Sequence, residues 1–381
     1  MIYDALVIGS GPAGASTAYE LSLSGAKVLI LERAKLPRYK ACGGMIPLNF
    51  FRTLPARTQR TQETLLTEGV CRGPGRKALA AVSKVSVAGV MRDRFDQEFT
   101  LAALDHGAEL MDSTPVTGVE ERPDLVLVRT RRGSFEGRVL VGADGATGIV
   151  KRILGIGSRN PPAAAMEAEL KPGTGTSGRE GIFADCELIR DGYAWIIPKG
   201  DLDSVGVVSF GRDRSVVRRK LLEWMSLHGY GAEGEILHGH PIPAWRGRAR
   251  FSTRRSLLVG DAADTVDPFL GEGIRYGVIS GRIAAATILN SLRNDGLLEG
   301  YTQALYEAVH ADFIYARWIA SLFYRFPSFF FDLWVRSSGG LDLIGQVLYG
   351  EIRYRDLFCK SAQVLLRPES YRRLFSGLRS A

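Results

Sequence analysis

At 381 residues, with a formal net charge of +8 and an ordinary mix of apolar and charged residues, the chain is long enough for two or three domains and a substantial buried core. The positive balance suits anionic ligands or lipid surfaces, and without a concentrated basic tract or a binding motif it gives no case for nucleic acid. Four cysteines, Cys42, Cys71, Cys186 and Cys359, lack zinc or iron–sulfur spacing, so no metal is expected, and the early first strand makes a reduced, cytoplasmic setting the expectation.

Residues 3–8 read as a strand that delivers Gly9-Ser10-Gly11-Pro12-Ala13-Gly14 into a small-residue helix over 13–23, the context that a dinucleotide fingerprint requires. Gly9 permits the turn, Gly11 lets backbone N–H groups approach a pyrophosphate, and Gly14 lets helix and strand pack closely. A second strand, 27–31, ends in Glu32, where a carboxylate accepts hydrogen bonds from a ribose diol and disfavours a 2′-phosphate. A loop over 36–44 leads to a helical stretch from near Ile46. Residues 82–90 alternate like a strand, 93–106 form a helix stopped by Gly107, and a meander over 116–120, 125–130 and 134–141 presents Gly142-Ala143-Asp144-Gly145.

From 153 to 255 strand-like segments separated by Pro- and Gly-rich turns, with one helix over 216–227, read as an inserted domain. A buried-type strand at 256–259 then presents Gly260-Asp261. Pro268-Phe269-Leu270-Gly271-Glu272-Gly273 follows, ahead of a long helix over 273–292. After Gly300 the chain is mostly helical, with a break near Gly339-Gly340. The expected architecture is α/β, α+β overall. A Rossmann-type domain comprises 1–80, 91–152 and 256–295, a sheet-based substrate domain comprises 81–90 and 153–255, and 296–381 form a helical C-terminal region. Residues 313–335 do not span a bilayer, being interrupted by Arg317, Arg325, Pro327 and Asp332.

The separated motifs suit an extended cofactor, FAD. Asp261 stands where a carboxylate accepts ribityl hydroxyls while Gly260 approaches the pyrophosphate. The helix after Gly271 and Gly273 offers N–H groups and a positive dipole end to the reduced ring. Turn glycines and a capping Asp are the alternative reading. No second fingerprint follows a strand, so the electron donor is either a transiently bound NAD(P)H or a separate reduced carrier, such as an electron-donor protein.

The loop Pro37-Arg38-Tyr39-Lys40-Ala41-Cys42-Gly43-Gly44, with Tyr193-Ala194-Trp195-Ile196-Ile197-Pro198-Lys199 and the flavin motifs, resembles the geranylgeranyl reductase family. The resemblance implies the fold of the p-hydroxybenzoate hydroxylase-like flavoproteins. It also implies reduction of C=C bonds in a polyprenyl chain on a lipid, quinone or pigment precursor, with hydride from flavin N5. It places Glu32, Arg33 and Arg94 on FAD and the Val116 backbone at the adenine. Pro12, Ala13, Cys42, Gly43, Pro268 and Ile274 complete the contacts.

Ile197 departs from the pattern, since an aromatic is common there. Tyr-x-Trp-x-Ile-Pro moves toward the signature of flavin-dependent halogenases, a minor alternative beside a hydroxylating monooxygenase and a non-catalytic lipid carrier. Tyr193 and Trp195, two apart, share one face of a strand and form either a wall beside an isoprenoid chain or core packing. Cys42 holds cofactor, positions substrate or relays a proton, or else is an inert buried thiol. Trp318, Phe323, Tyr324, 329–331 and Trp334, mixed with arginines, either meet an anionic membrane at its inner face or pack on the flavin domain.

Overall fold

The computed structural model describes residues 1–73, 79–158, 163–173, 181–211, 213, 215–231, 233–294, 297–336 and 340–365. Its strands are β1 (Ile2–Ile8), β2 (Val28–Leu31), β3 (Met45–Pro47), β4 (Gln62–Arg72), β5 (Leu79–Val90), β6 (Glu109–Met111), β7 (Val116–Glu121) and β8 (Val126–Thr130). They continue with β9 (Gly133–Gly142), β10 (Ala163–Leu170), β11 (Ile182–Asp185), β12 (Gly192–Lys199), β13 (Leu202–Ser209), β14 (His238–Ile242) and β15 (Ser256–Leu258). The helices are α1 (Pro12–Leu23), α2 (Leu48–Phe51), α3 (Ala56–Gln59), α4 (Arg92–Leu104), α5 (Val150–Leu154) and α6 (Val216–Leu227). After them come α7 (Ile274–Asn294), α8 (Tyr301–Leu305), α9 (Ala311–Arg325), α10 (Pro327–Arg336), α11 (Gly340–Tyr349) and α12 (Tyr354–Leu365). Gly339 and the side chain of Trp334 lie outside the described residues.

The first sheet runs β6-β2-β1-β9-β8-β7, with β15 pairing the end of β9. Strands β6, β2, β1, β9 and β15 are parallel neighbours, which requires burial on both faces, and Ala5, Leu6 and Val7 of β1 are fully buried. The ends of β1, β9 and β15 therefore present the Gly9, Asp144 and Gly260 segments side by side. Helices α1 and α7 meet through small residues, with Ser16 Oγ donating to the Val278 carbonyl at 3.2 Å. A Cβ on Gly281 would lie 2.5 Å from the Ala13 carbonyl oxygen, so the two backbones approach more closely than any larger residue allows.

The second sheet runs β14-β10-β13-β12-β11-β4-β5-β3. Both β3 and β4 belong to it, so the expected division at residue 80 does not follow the sheets. The helix expected from Ile46 is strand β3 at its start, because Ile46 pairs with Ala88 of β5 and is fully buried; the helical turns that follow are Leu48–Phe51 and Ala56–Gln59. Along β12 the side chains alternate. Ala194 and Ile196 pack under α6, while Tyr193, Trp195 and Ile197 lie on the opposite face with Leu66, Val87 and Val208. Trp224 of α6 stacks on Phe183 at 5.4 Å and donates its indole N–H to the Trp195 carbonyl at 3.0 Å, fixing β12 from behind.

The C-terminal helices close the remaining side. Tyr301 donates to the Leu258 carbonyl at 2.6 Å, and the Tyr354 hydroxyl donates to buried Asp267. Among the described residues no helix is long and apolar enough to cross a membrane.

Because Trp224 is fully buried and carries both a stack and a hydrogen bond, Trp224→Ala is expected to destabilise the protein by about 3–5 kcal/mol. Urea unfolding measures this; a loss below about 1 kcal/mol would contradict the packing role of α6.

Candidate active site

One continuous cavity of about 870 Å³ lies between the two sheets and the C-terminal helices. At one end Gly9, Gly11, Pro12 and Ala13 line it, with Glu32 and Arg33 from the end of β2 and Val116 from β7. Asp144 and Gly145 border the same arm, as do Gly260 and Asp261, and the turn from Gly271 to Ile274 closes its far side. Gly14 and Pro268 stand behind this lining.

The glycines divide by what a Cβ would meet. On Gly14 it would lie 2.0 Å from the Gly9 carbonyl oxygen, and on Gly9, at φ +102°, 2.4 Å from that of Ala143, so these two are needed for the turn itself. A Cβ on Gly11 meets nothing closer than the Arg38 side chain at 3.7 Å, and one on Gly145 nothing within 4 Å; both face open space where a ligand backbone fits. The first turn of α1 has no side-chain cap and no acid, leaving its N–H groups free for an anion. These features fit a dinucleotide and not merely a turn.

Charge in this arm is tightly held. Glu32 is buried and accepts the Ser10 N–H and hydroxyl, each at 2.9 Å, and the Ala34 N–H at 3.0 Å. Burial opposes its charge, but Arg38 and these donors lower its pKa. Arg38 bridges Glu32 at 3.4 Å and Asp96 at 3.1 Å. Asp261 lies 3.9 Å from Lys40 and 3.8 Å from His240; desolvation works against its charge, yet His240, Lys40 and Arg92 bring its pKa down to about 2. It is therefore an acceptor for hydroxyls throughout the physiological range. Asp144 accepts the Val150 N–H at 3.0 Å through one oxygen, while the other is buried without a hydrogen-bond partner.

Arg94 does not reach this arm. It points outward and pairs with Glu63 at 3.0 Å. Arg92 occupies the cavity wall instead, its guanidinium held by Asp96 at 2.8 and 2.9 Å and reaching the Cys42 thiol. Helical phase decides between them: Arg92 lies one turn before buried Asp96 on the inward face of α4, whereas Arg94 lies on the outward face.

The Cys42 loop is pinned on both sides. The Cys42 N–H donates to Glu167 at 2.5 Å, and Lys199 donates to the Cys42 carbonyl at 2.8 Å and to Glu169 at 3.1 Å. Gly43 packs so near β12 that a Cβ there would lie 2.9 Å from Ile197 Cδ1. Glu167, Arg92 and His240 were not singled out from the sequence, and Arg38 and Lys199 entered only as members of the quoted loop and strand segments. The available signal was charge inside otherwise apolar strands, in Ala163–Leu170 and Gly192–Lys199.

Beyond the loop the cavity becomes apolar, lined by Leu66, Val87, Tyr193, Trp195, Val208 and Phe331. Tyr193 and Trp195 stand side by side, ring centroids 6.0 Å apart. Their polar ends turn away into the protein: the Tyr193 hydroxyl donates to the Leu270 carbonyl at 2.5 Å and the Trp195 N–H to Ser204 Oγ at 3.1 Å. A Cβ on Gly206 would lie 2.0 Å from the Trp195 ring, so glycine makes room for that indole. Burial, with Asp267, Cys186 and Cys42 nearby, pushes the Tyr193 pKa above its ordinary value, which makes it a weaker acid still.

Behind Gly271 and Gly273 sits a second buried cluster. Glu272 pairs with Arg275 at 2.6 Å, and burial raises its pKa to about 7 against the pull of Arg275. Asp267 is raised to about 6 by burial, against the opposing pull of Tyr354 and the Phe269 and Leu270 N–H groups. A carboxyl whose pKa rises on folding binds its proton more tightly in the folded state, so its stabilisation is complete at low pH and fades as pH climbs through the raised value. Thermal stability is expected to fall between pH 5 and pH 8, and to fall less in Glu272→Gln; identical pH slopes in a melting series would contradict this. Separately, Gly14→Ala is expected to lose bound FAD, read as flavin absorbance after gel filtration, and full flavin content would contradict the fingerprint geometry.

A family model described as FAD binding domain matches residues 2–172. A digeranylgeranylglycerophospholipid reductase of Methanosphaera stadtmanae is 28% identical over 78% of this chain and 81% of its own length. Among solved structures, a geranylgeranyl bacteriochlorophyll reductase-like protein of Thermoplasma acidophilum superposes with TM-score 0.77 at 20% identity, covering 98% of this chain and 99% of its own. A flavin-dependent brominase, Bmp2, also reaches 0.77 at 19% identity, covering 98% and 100%. Likeness at that level speaks for the fold alone, and the fold, the cofactor and the enzyme class agree: this is an FAD-dependent oxidoreductase. With a geranylgeranyl diphosphate reductase of Rhodobacter capsulatus 30% identical over 77% of this chain and 77% of its own, the chain belongs to the geranylgeranyl reductase family.

Proposed function

We propose that the enzyme hydrogenates C=C bonds of a polyprenyl chain carried on a lipid, quinone or pigment precursor. The observation that carries this reading is the continuity of one cavity, polar beside the glycine motifs and apolar between Tyr193, Trp195 and the C-terminal helices. Bound FAD, in its reduced form, supplies the hydride. Asp261 and the N-terminus of α1 hold the cofactor's hydroxyls and pyrophosphate, and Gly271 and Gly273 let the α7 N-terminus approach it.

Tyr193 and Trp195 offer ring faces to the cavity and keep their donors occupied, so they exclude water and guide an apolar chain without acting as acids. Cys42, at the seam between the two arms beside Arg92, would pass the proton to the second alkene carbon; Cys71 and Cys186 also line the cavity. Electrons reach FAD from NAD(P)H or from a separate reduced carrier.

A membrane-borne substrate also explains α9. One side of it lines the cavity through Phe323 and Tyr324, while Trp318, Leu322 and Phe326, 52%, 42% and 55% exposed, form an outward stripe flanked by Arg317 and Arg325. This stripe is the proposed contact with an anionic membrane surface. The triple substitution Trp318→Glu, Leu322→Glu, Phe326→Glu is expected to abolish flotation with anionic vesicles. Unchanged flotation would contradict it.

Anaerobic incubation of dithionite-reduced, FAD-loaded protein with geranylgeranyl lipids and a polyprenyl quinone tests the reaction. A mass gain of two hydrogens per bond, with matching return of oxidised-flavin absorbance, is expected. Product that appears only on admitting air, carrying oxygen or halogen, would contradict it. In the same assay Cys42→Ser is expected to lower turnover about tenfold or more while leaving flavin reduction intact.

A further inference from the structure

We propose that Glu167 is the positioning residue of the Cys42 loop, and that through Ser204 it ties that loop to the indole of Trp195. The arrangement is built into the sheet register. Glu167 of β10 and Trp195 of β12 both pair with Gly206 of β13, one from each side, so the three lie in a row across the sheet. Because Gly206 has no side chain, the Trp195 ring occupies the space above it and points toward Glu167.

From there the hydrogen bonds run in one direction. Trp195 Nε1 donates to Ser204 Oγ at 3.1 Å, and Ser204 Oγ donates to Glu167 Oε2 at 3.0 Å. Glu167 Oε1 accepts the Cys42 N–H at 2.5 Å and the Tyr39 hydroxyl at 3.1 Å. The substrate-side wall and the thiol loop thus end on the two oxygens of one side chain.

Structural need alone does not explain a carboxyl at this place. Glu167 is 2% exposed, and the donors that reach it among the described residues are neutral. Burying a carboxyl against neutral donors is less favourable than burying an apolar residue of similar size, and its neighbour on this cavity-side face of β10, Ala165, packs in an apolar cluster with Trp195 and Val208. What the carboxyl adds is a pair of acceptors that no apolar residue offers, placed so that movement of the Trp195 ring is felt at the Cys42 backbone. Lys199 holds the Cys42 carbonyl independently, so the loop keeps one tether when Glu167 is changed.

The test follows alkylation of Cys42 by iodoacetamide in full-length, FAD-loaded protein, read on the Cys42 peptide by mass spectrometry. Glu167→Ala is expected to raise the rate about tenfold, the factor expected from losing a hydrogen bond to a charged group. Glu167→Gln, whose amide oxygen still accepts the Cys42 N–H, is expected to restore a near wild-type rate. Equal rates in all three proteins, or an equal rise in both variants, would overturn the assignment. If Glu167→Ala does not hold FAD, Ser204→Ala and Trp195→Phe carry the test. Each is expected to raise the rate, with the double variant no faster than either single one; no rise, or additive rises, would overturn the coupling. The inference rests on Cys42 and Trp195 belonging to the reactive site proposed above, but the readout needs no substrate. Wild-type protein that reduces no prenyl lipid yet shows this pattern would refute that reaction and leave the positioning role standing.

Discussion

The close approach of α1 to α7 is the constraint on which the site depends. Ala13, Ser16 and Thr17 on one helix and Gly277 and Gly281 on the other bring two backbones nearly into contact, and the N-termini of both helices consequently face one cavity. A larger residue at Gly281 would push the helices apart and separate the pyrophosphate end of the site from the ring end. The parallel strands β1, β9 and β15 then need only end where they do for the remaining motifs to fall into place between those helix ends.

A second constraint is electrical. Charges carried into this interior are compensated locally: Arg38 between Glu32 and Asp96, Arg92 on Asp96, Lys199 on Glu169, Arg275 on Glu272. Such pairs add little net stability, since desolvation offsets most of their attraction. Their value lies in placement. Each fixes a backbone segment that borders the cavity, and the Cys42 loop, held from β10 and β12 at once, is where the two sheets are joined across the site.

What the sequence made legible was local. The glycine motifs announce themselves because steric need at Gly9 and Gly14 is satisfied within a few residues, and α6 forms over the residues expected because its apolar face repeats with helical period. Pairing between distant segments was not legible. Nothing near Ile46 reveals that Ala88 will hydrogen-bond beside it, so the segment reads as the start of a helix, and nothing in 62–72 announces a strand that joins the second sheet. The choice between Arg92 and Arg94 turned on helical phase relative to a core not visible in the chain. Glu167 and Lys199 are charges in apolar strands whose meaning comes from a partner distant in the chain, the backbone of Cys42, which the sequence does not reveal.

The central claim is that cofactor and prenyl chain share one cavity, meeting at the Cys42 loop. A crystal structure of the FAD-loaded protein with a saturated geranylgeranyl-type lipid tests it most directly. The account predicts the isoprenoid chain along Tyr193 and Trp195 with one end against the flavin ring and Cys42 beside both. A lipid bound elsewhere, or a flavin ring that fills the apolar arm and leaves no passage to it, would contradict the account.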